Sequence, residues 1–441
     1  MLLLPNRRGL WGADWCREPL WRRAGAKPSW HIAPVRTGNI VDLVAGQSLV
    51  TFTNSSPAMG FNSSGVLVQP TANVPFIEYD PATGAALGWR VWDGVTNSLV
   101  QSQDFATTWT NSNLTVNTNT VTAPDGTLTA DTFGPVVGDG LTATRFLRQN
   151  PALTAQGTYT LSVFVKIGTA TANGIALYVS DQNGANQFRS NYNLFSLTTS
   201  PGAVTWATPS AYIIPCANGW YRCVLTGVTS TAHTGLRAII YLNTFGNTSD
   251  SYGTHHIWGA QLNTGTLAPY VPTTSLTASS TADVATISGA AFAGIYNASA
   301  LTVYAEAARG YPDNFTGFPR LYSFNDGTSA NMAEVYGVGG SPQLSNYSLF
   351  SGGVRQVDFV TRNHATTAPL KLVQALASND SIFGTDGILT TQDASIVLPV
   401  GINQLSIGAG VGGANSWRGY IREMAINRSR RPNANLQAMM L

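Results

Sequence analysis

The chain has 441 residues, only 10% of them charged, against roughly 25% in ordinary soluble proteins. Gly, Thr, Ser, Asn and Ala fill the gap, and all but Ala disfavour helix interiors, so a mainly helical fold is excluded. The 44% hydrophobic and 10% aromatic content supports real cores, which excludes disorder, and the length suggests about two to four domains. The net charge of +2 rules out a broad basic field for nucleic acid.

Residues 1–36 form a distinct head. Seven Lys/Arg stand against two Asp/Glu there, a net +5 that leaves −3 for the rest of the chain. Trp11, Trp15, Trp21 and Trp30 interleave with Arg7, Arg8, Arg17, Arg22, Arg23 and Arg36. Trp and Arg together are the composition of an interface hot spot, so this arm is expected to dock on a partner. Met1–Leu4 is too short for the apolar region of a signal peptide. No stretch reaches the ~18 apolar residues of a membrane span, so no membrane insertion is expected.

Residues 37–97 alternate short apolar pieces with Gly, Pro and Asn turns and read as a small β adaptor. Its Tyr79-Asp80-Pro81-Ala82-Thr83-Gly84 is a turn signal. Over residues 158–166, Tyr159, Leu161, Val163 and Val165 alternate with Thr, Ser, Phe and Lys, the pattern of a half-buried strand. Similar pieces recur at 175–179, 220–225, 237–242 and 256–262. Several short strands with regular turns indicate a β-sandwich over 98–272. Residues 273–285 read as a polar linker. A second sandwich follows over 286–441, with strand candidates at 301–305, 320–324, 357–361, 404–407 and 420–426. It closes on a short helix with Asn433 as its N-cap. The fold class is thus all-β: an N-terminal arm and small adaptor, then two antiparallel sandwiches.

Three cysteines do not make a disulfide framework. Cys216 and Cys223 bracket a strand and suit either one disulfide or two reduced core residues. Glycoside hydrolysis needs two carboxylates at a set separation. Of the five glutamates, Glu306 and Glu334 lie on or near strands of the second sandwich and could face one groove, but their simplest reading is two solvent-face residues. His255 and His256 are adjacent in a strand and point to opposite faces, so they do not share a metal. Asp181-Gln182-Asn183-Gly184 reads as a turn, since it lacks the further ligands of a calcium loop. Gly408–Gly413 fits a phosphate-loop pattern on paper but leads into a strand rather than a helix. No catalytic residue, metal or cofactor is expected. Sugar rings stack on aromatics. Trp220 and Trp258 lie in strands and are expected in the core, while Trp206, Tyr252 and Trp417 lie in loops and are the candidate glycan contacts.

Three pieces frame the first sandwich. They are Ser98–Phe105 with Trp109, then Asn218-Gly219-Trp220-Tyr221-Arg222, then Ile257-Trp258-Gly259-Ala260-Gln261-Leu262. Together with Asn97-Ser98-Leu99 and Tyr270-Val271-Pro272-Thr273-Thr274, they resemble a carbohydrate-binding-module-like jelly roll of bacteriophage tail-fibre and other virion proteins. Phe324-Asn325-Asp326-Gly327-Thr328 and Gly419-Tyr420-Ile421-Arg422-Glu423 resemble the concanavalin A/laminin-G-like sandwiches of such proteins. The resemblance covers roughly residues 60–441. It implies a non-enzymatic virion protein, assembled in the bacterial cytoplasm and homotrimeric. Its role would be a tail fibre or receptor-binding protein that reads host surface glycan. Trp11, Trp15, Arg17, Trp21, Arg22, Arg23 and Trp30 would then anchor it to other virion proteins. A head decoration fibre and a polysaccharide-degrading tailspike are the alternatives.

Overall fold

The computed structural model describes residues 23–136, 144–171, 174–202, 204–207, 209–242, 253–310, 317–338, 344–361 and 368–441. Among these, strands dominate and are arranged in two sandwiches, as the composition requires. The first has two six-stranded antiparallel sheets. One runs in the order Ser210–Pro215, Trp220–Thr229, Gly157–Ile167, His255–Thr264, Ala130–Pro135, Leu114–Val121. The other runs Thr198–Pro201, Gln187–Asn193, Gly174–Asp181, Leu236–Leu242, Phe146–Gln149, Thr110–Ser112. The alternation read at 158–166 holds: Tyr159, Leu161, Val163 and Val165 face the core and meet Ile175, Leu177, Val179 and Ile240 of the opposite sheet. Each such side chain contributes about 1.5–3 kcal/mol by leaving water.

The second sandwich has an eight-stranded and a seven-stranded sheet. Its strands correct the expected linear order of arm, adaptor, sandwich, linker, sandwich. Trp30–Ile32 pairs with Met424–Ile426 of the strand Gly419–Asn427, and Trp30 is fully buried in the core. The hairpin Ile77–Tyr79/Ala86–Val91 extends the same sheet, with Trp89 beside Ile421. Thr51–Thr53 adds to the other sheet through Val284–Ser288. Trp30–Ile32 of the supposed arm, and Thr51–Thr53, Ile77–Tyr79 and Ala86–Val91 of the supposed adaptor, therefore belong to the second sandwich, while the hairpin Gly60–Phe61/Leu67–Val68 forms a sheet of its own. The jelly roll is inserted into the second sandwich. The expected linker carries two strands: Ala278–Ser279 pairs with Thr96–Asn97, and Val284–Ser288 joins Gln404–Ile407. Short strands of two to six residues carry no sign of a partner more than 300 residues away, so only the register shows this.

Where the chain enters the jelly roll, Asn97 is wholly buried. Its amide donates to the Ala260 and Val271 carbonyls at 3.0 and 2.9 Å. Its Oδ1 accepts from the Leu99 and Leu262 amides at 3.1 and 3.2 Å. One side chain thus ties the entry strand to the last long strand and to the exit segment.

Outer faces are covered unequally. On the six-stranded sheet that contains Trp220, the outward Phe164, Trp220 and Trp258 form a cluster with Tyr270. The hairpin Gly60–Phe61/Leu67–Val68 caps it with Phe61 and Leu67. Trp258 donates to Thr129 Oγ1 at 3.0 Å and Trp220 to the Thr122 carbonyl at 3.2 Å. Gly259 follows at φ +63°, where an added Cβ would lie 2.9 Å from the Phe164 ring; the Trp-Gly pair is a packing requirement. On the eight-stranded sheet, the helix Asn433–Met440 lays Leu436, Met439 and Met440 over Tyr304, Val373 and Ala425. Asn433 opens this helix rather than capping it. Pro432 is the N-cap, with no side-chain hydrogen bond.

Replacing Asn97 with Ala removes four hydrogen bonds and strands buried partners, each worth about 1–3 kcal/mol. We expect Asn97→Ala to lower stability by about 3 kcal/mol or more, read from urea unfolding. A change below about 0.5 kcal/mol, typical of an ordinary surface site, would contradict the clamp.

Candidate functional site

The structure redistributes the residues singled out in the sequence. Trp11, Trp15, Arg17, Trp21, Arg22 and Tyr252 lie outside the described residues. Arg23 donates to the Met439 carbonyl at 3.3 Å, and Asn435 donates to the Arg23 carbonyl at 3.0 Å. Arg23 and Trp30 are therefore parts of the second sandwich, not of a free anchor. Trp206 and Trp417 are not exposed. Trp206 packs on Phe188 with its ring nitrogen on Thr231 Oγ1 at 2.8 Å. Trp417 donates to the Ala308 carbonyl at 3.0 Å and lies under the Arg309 guanidinium, 4.2 Å from the ring centre. Both sit in loops, but loops that fold over a sandwich edge and fill it, so no sugar ring reaches them.

Glu306 and Glu334 do not share a groove. They project from the outer faces of opposite sheets, each against its own arginine: Glu306 with Arg422 at 2.8 Å, Glu334 with Arg320 at 3.3 Å. His255 and His256 point to opposite faces of their strand. His255 is buried beside Phe133, and His256 meets Thr132 Oγ1 at 2.8 Å. The Asp181 carboxylate accepts from the Ala185 and Asn186 amides at 2.9 and 3.1 Å, closing the expected turn. Gly408–Gly413 is likewise a turn that leads into the strand Gly419–Asn427. Cys216 and Cys223 are free and lie on opposite faces of one sheet. Burial pushes the Cys216 thiol up to about 12.

One outer face has a different character. On the jelly-roll sheet centred on Gly174–Asp181, the odd-numbered residues of that strand fill the core and the even-numbered ones face outward. The registers lay out two rows across the sheet. Arg189, Tyr178, Ile239, Arg148 and Thr110 form the first. Asn191, Ala176, Tyr241, Phe146 and Ser112 form the second. Gln187, Ser180 and Arg237 lie at one end. Arg189 and Arg148 stand three strands apart, about 14 Å across the sheet.

The floor of this face is aromatic. Tyr178 and Tyr241 meet edge to face at 6.0 Å, and Phe146 packs on Tyr241 at 5.6 Å. The Tyr178 hydroxyl donates to Gln187 Oε1. The rim is made of donors: Arg148, Arg189, Arg237, Gln187 and Asn191 all remain partly exposed. Arg148 lies 5.7 Å from the Phe146 ring centre, and its Nε has no hydrogen-bond partner. Burial, and then the nearby Tyr178, push the Tyr241 phenol up to about 12, even though the three guanidiniums pull it down. Both phenols thus stay protonated donors at neutral pH. Beside Arg148 and Thr110, a groove of about 620 Å³ runs along the sheet edge past Asn150, Pro151 and Thr277.

The polar outer face of the seven-stranded sheet contrasts with this one. There Arg320 is held by Glu334, and Arg355 by Asp358 at 2.8 Å. That face satisfies its own charges. The arginine face was missed in the sequence, although Gln187-x-Arg189-x-Asn191, Arg237-x-Ile239-x-Tyr241 and Phe146-x-Arg148 carry a period-2 signal. What was lacking was the strand order that brings them side by side.

No family model matches the chain, and no curated protein does. Among solved structures, it is similar to the CBM40 domain of a Ruminococcus gnavus IT-sialidase, at 12% identity and a TM-score of 0.29, over 34% of this chain and 86% of that one. It is similar to NanB sialidase from Streptococcus pneumoniae at 12% and 0.29, over 34% of this chain and 26% of that one. It is also similar to domains LG4-5 of the mouse laminin alpha1 chain, at 10% and 0.21, over 82% and 91%. The chain thus spans about a quarter of the NanB length.

Burial, and then the charge of His256, depress His255 to about 4, against 6.5 for a free imidazole. The ring is neutral in the fold but takes up a proton in the unfolded chain below about pH 6.5. Its contribution is complete above that pH and is lost as pH falls toward 4, on the order of 3 kcal/mol. We expect His255→Phe to flatten the stability profile between pH 7 and 4, measured by urea midpoints. A mutant profile as steep as the wild type would contradict a buried neutral ring.

Proposed function

We propose that this chain is a non-enzymatic structural protein of a phage particle, a tail fibre or receptor-binding protein that presents its jelly roll to host surface glycan. The observation that carries this reading is the donor-rimmed outer face around Tyr178 and Tyr241. No described strand or helix packs over it, whereas the other jelly-roll sheet is capped by the hairpin Gly60–Phe61/Leu67–Val68. Glycan hydroxyls suit the partly exposed guanidinium and amide groups of the rim, and the partly exposed Phe146 offers an apolar edge for a ring C–H face. The virion placement rests on the resemblance of the Asn97–Leu99, Trp220–Arg222, Trp258–Leu262 and Tyr270–Thr274 pieces to such proteins. In this reading residues 1–22 attach the protein to other virion proteins. A homotrimer would multiply weak glycan contacts, raising avidity by roughly 10²–10⁴.

Labelled full-length protein should bind host cells, and periodate oxidation of the cell surface should abolish that binding. Undiminished binding after oxidation would refute glycan recognition. Removal of residues 1–22 should abolish incorporation into particles while both sandwiches keep their unfolding transitions. Normal incorporation of the truncated protein would refute the anchor. A truncation at residue 36 is expected to destabilise the second sandwich, because it removes Trp30 from the core.

A further inference from the structure

We propose that the ligand of the Tyr178/Tyr241 face is an acidic glycan, a sugar whose carboxylate is received by Arg148 and Arg237; this rests on the glycan-binding reading above. The charge on the sheet favours an anionic ligand. Its six strands hold three arginines, Arg148, Arg189 and Arg237, and one carboxylate, Asp181. Asp181 has the parity of the core-facing residues, and its oxygens are engaged by the turn to Asn186. Every outward position is therefore cationic, amide, hydroxyl, aliphatic or aromatic. Among the described residues, no carboxylate forms an ion pair with Arg148 or Arg237. Other outward arginines are engaged: Arg90 by Glu78, Arg320 by Glu334, Arg355 by Asp358, Arg422 by Glu306, and Arg222 by Ser162 and the Ala268 carbonyl.

An arginine fork matches a carboxylate by two parallel hydrogen bonds. The arrangement suits that geometry. Arg148 is held against the Phe146 ring, 5.7 Å from its centre, and the two terminal Nη groups of its guanidinium offer the fork. Arg237 stands diagonally across Ile239 from it, beside Ser180. A neutral glycan would use the amides but leave these cations unmatched.

A nucleic acid fits less well. Bases stack on flat exposed rings, whereas Tyr178 and Tyr241 are set at 90° to one another and only 7% and 8% exposed. The positive charge is also local. The chain carries +2 in all, so without these three arginines it would be −1, which offers no track for a phosphate backbone.

The test uses the full chain and four probes on biosensor surfaces: a panel of uronate and sialate polysaccharides, the same polymers after carboxyl reduction, neutral dextran, and single-stranded DNA. Binding is expected to the carboxylate polymers and to fall at least tenfold on carboxyl reduction. It should also weaken as salt rises from about 0.05 to 0.5 M, where the screening length shrinks severalfold. Arg148→Gln and Arg237→Gln should each cost about 10- to 100-fold, with thermal midpoints unchanged. Arg148→Lys keeps the charge without the fork and should recover only part of that loss. Equal binding to native and reduced polymers would overturn the carboxylate assignment while leaving glycan binding standing. Tighter binding to DNA than to any polysaccharide would overturn it in favour of nucleic acid. Binding to no polysaccharide, charged or neutral, would overturn the glycan reading itself and this inference with it.

Discussion

The four hydrogen bonds of Asn97 hold the molecule's plan together. An insertion of about 175 residues into another domain requires that its two ends stay adjacent, because loop-closure entropy otherwise opposes the host fold. Here the ends are paired as strands, Thr96–Asn97 against Ala278–Ser279. Asn97 then ties that neck to Leu262 and Val271 in a fully buried site. Buried amides are expensive unless every donor and acceptor is used, and this one uses all four. Neighbouring side chains follow the same logic. Gln261 bridges Asn263, the Pro269 carbonyl and the Val271 amide, and Ser102 meets the Tyr270 hydroxyl at 2.6 Å. The sequence pieces that frame the jelly roll are thus the joint between two domains.

That joint decides which surfaces remain for binding. The neck swings one jelly-roll sheet against the second sandwich, where the buried pair Glu78–Arg90, at 2.9 Å, braces the hairpin above Phe164 and Trp258. Burial raises the Glu78 carboxyl while Arg90 pulls it back down. Breaking such a pair costs far more than replacing it whole, so the bracket is rigid. The opposite sheet is turned away from this contact. Its outward positions carry Arg148 and Arg237, which pair with no carboxylate among the described residues, over an aromatic floor. The same strand alternation that fills the core displays this charge, so the site needs no loop of its own.

Much of this was legible in the sequence. The alternation at 158–166 identified a half-buried strand because its period is intrinsic to the pleat. Trp220 and Trp258 read as buried, and they are, though they pack beneath the separate hairpin Gly60–Phe61/Leu67–Val68 rather than between the jelly-roll sheets. Domain order was not legible. Trp30–Ile32 and Ala86–Val91 meet a strand near the C-terminus, and nothing local marks a pairing of that sequence separation. Trp206 and Trp417 show the limit of equating loops with exposure, since a bulky ring in a loop has the most to gain by folding inward. Arg148, Arg189 and Arg237 are unremarked singly. They become a site only once Phe146–Gln149, Leu236–Leu242, Gly174–Asp181 and Gln187–Asn193 are set side by side.

We propose the sheet face around Tyr178 and Tyr241 as the one place where ligand binds. Hydrogen–deuterium exchange of the full chain, with and without a saturating acidic surface polysaccharide, tests it most directly. New protection is expected only in peptides that cover Phe146–Gln149, Gly174–Asp181, Gln187–Asn193 and Leu236–Leu242. Protection centred instead on Arg320–Asn325 and Met332–Val338 of the second sandwich, or on neither, would contradict it.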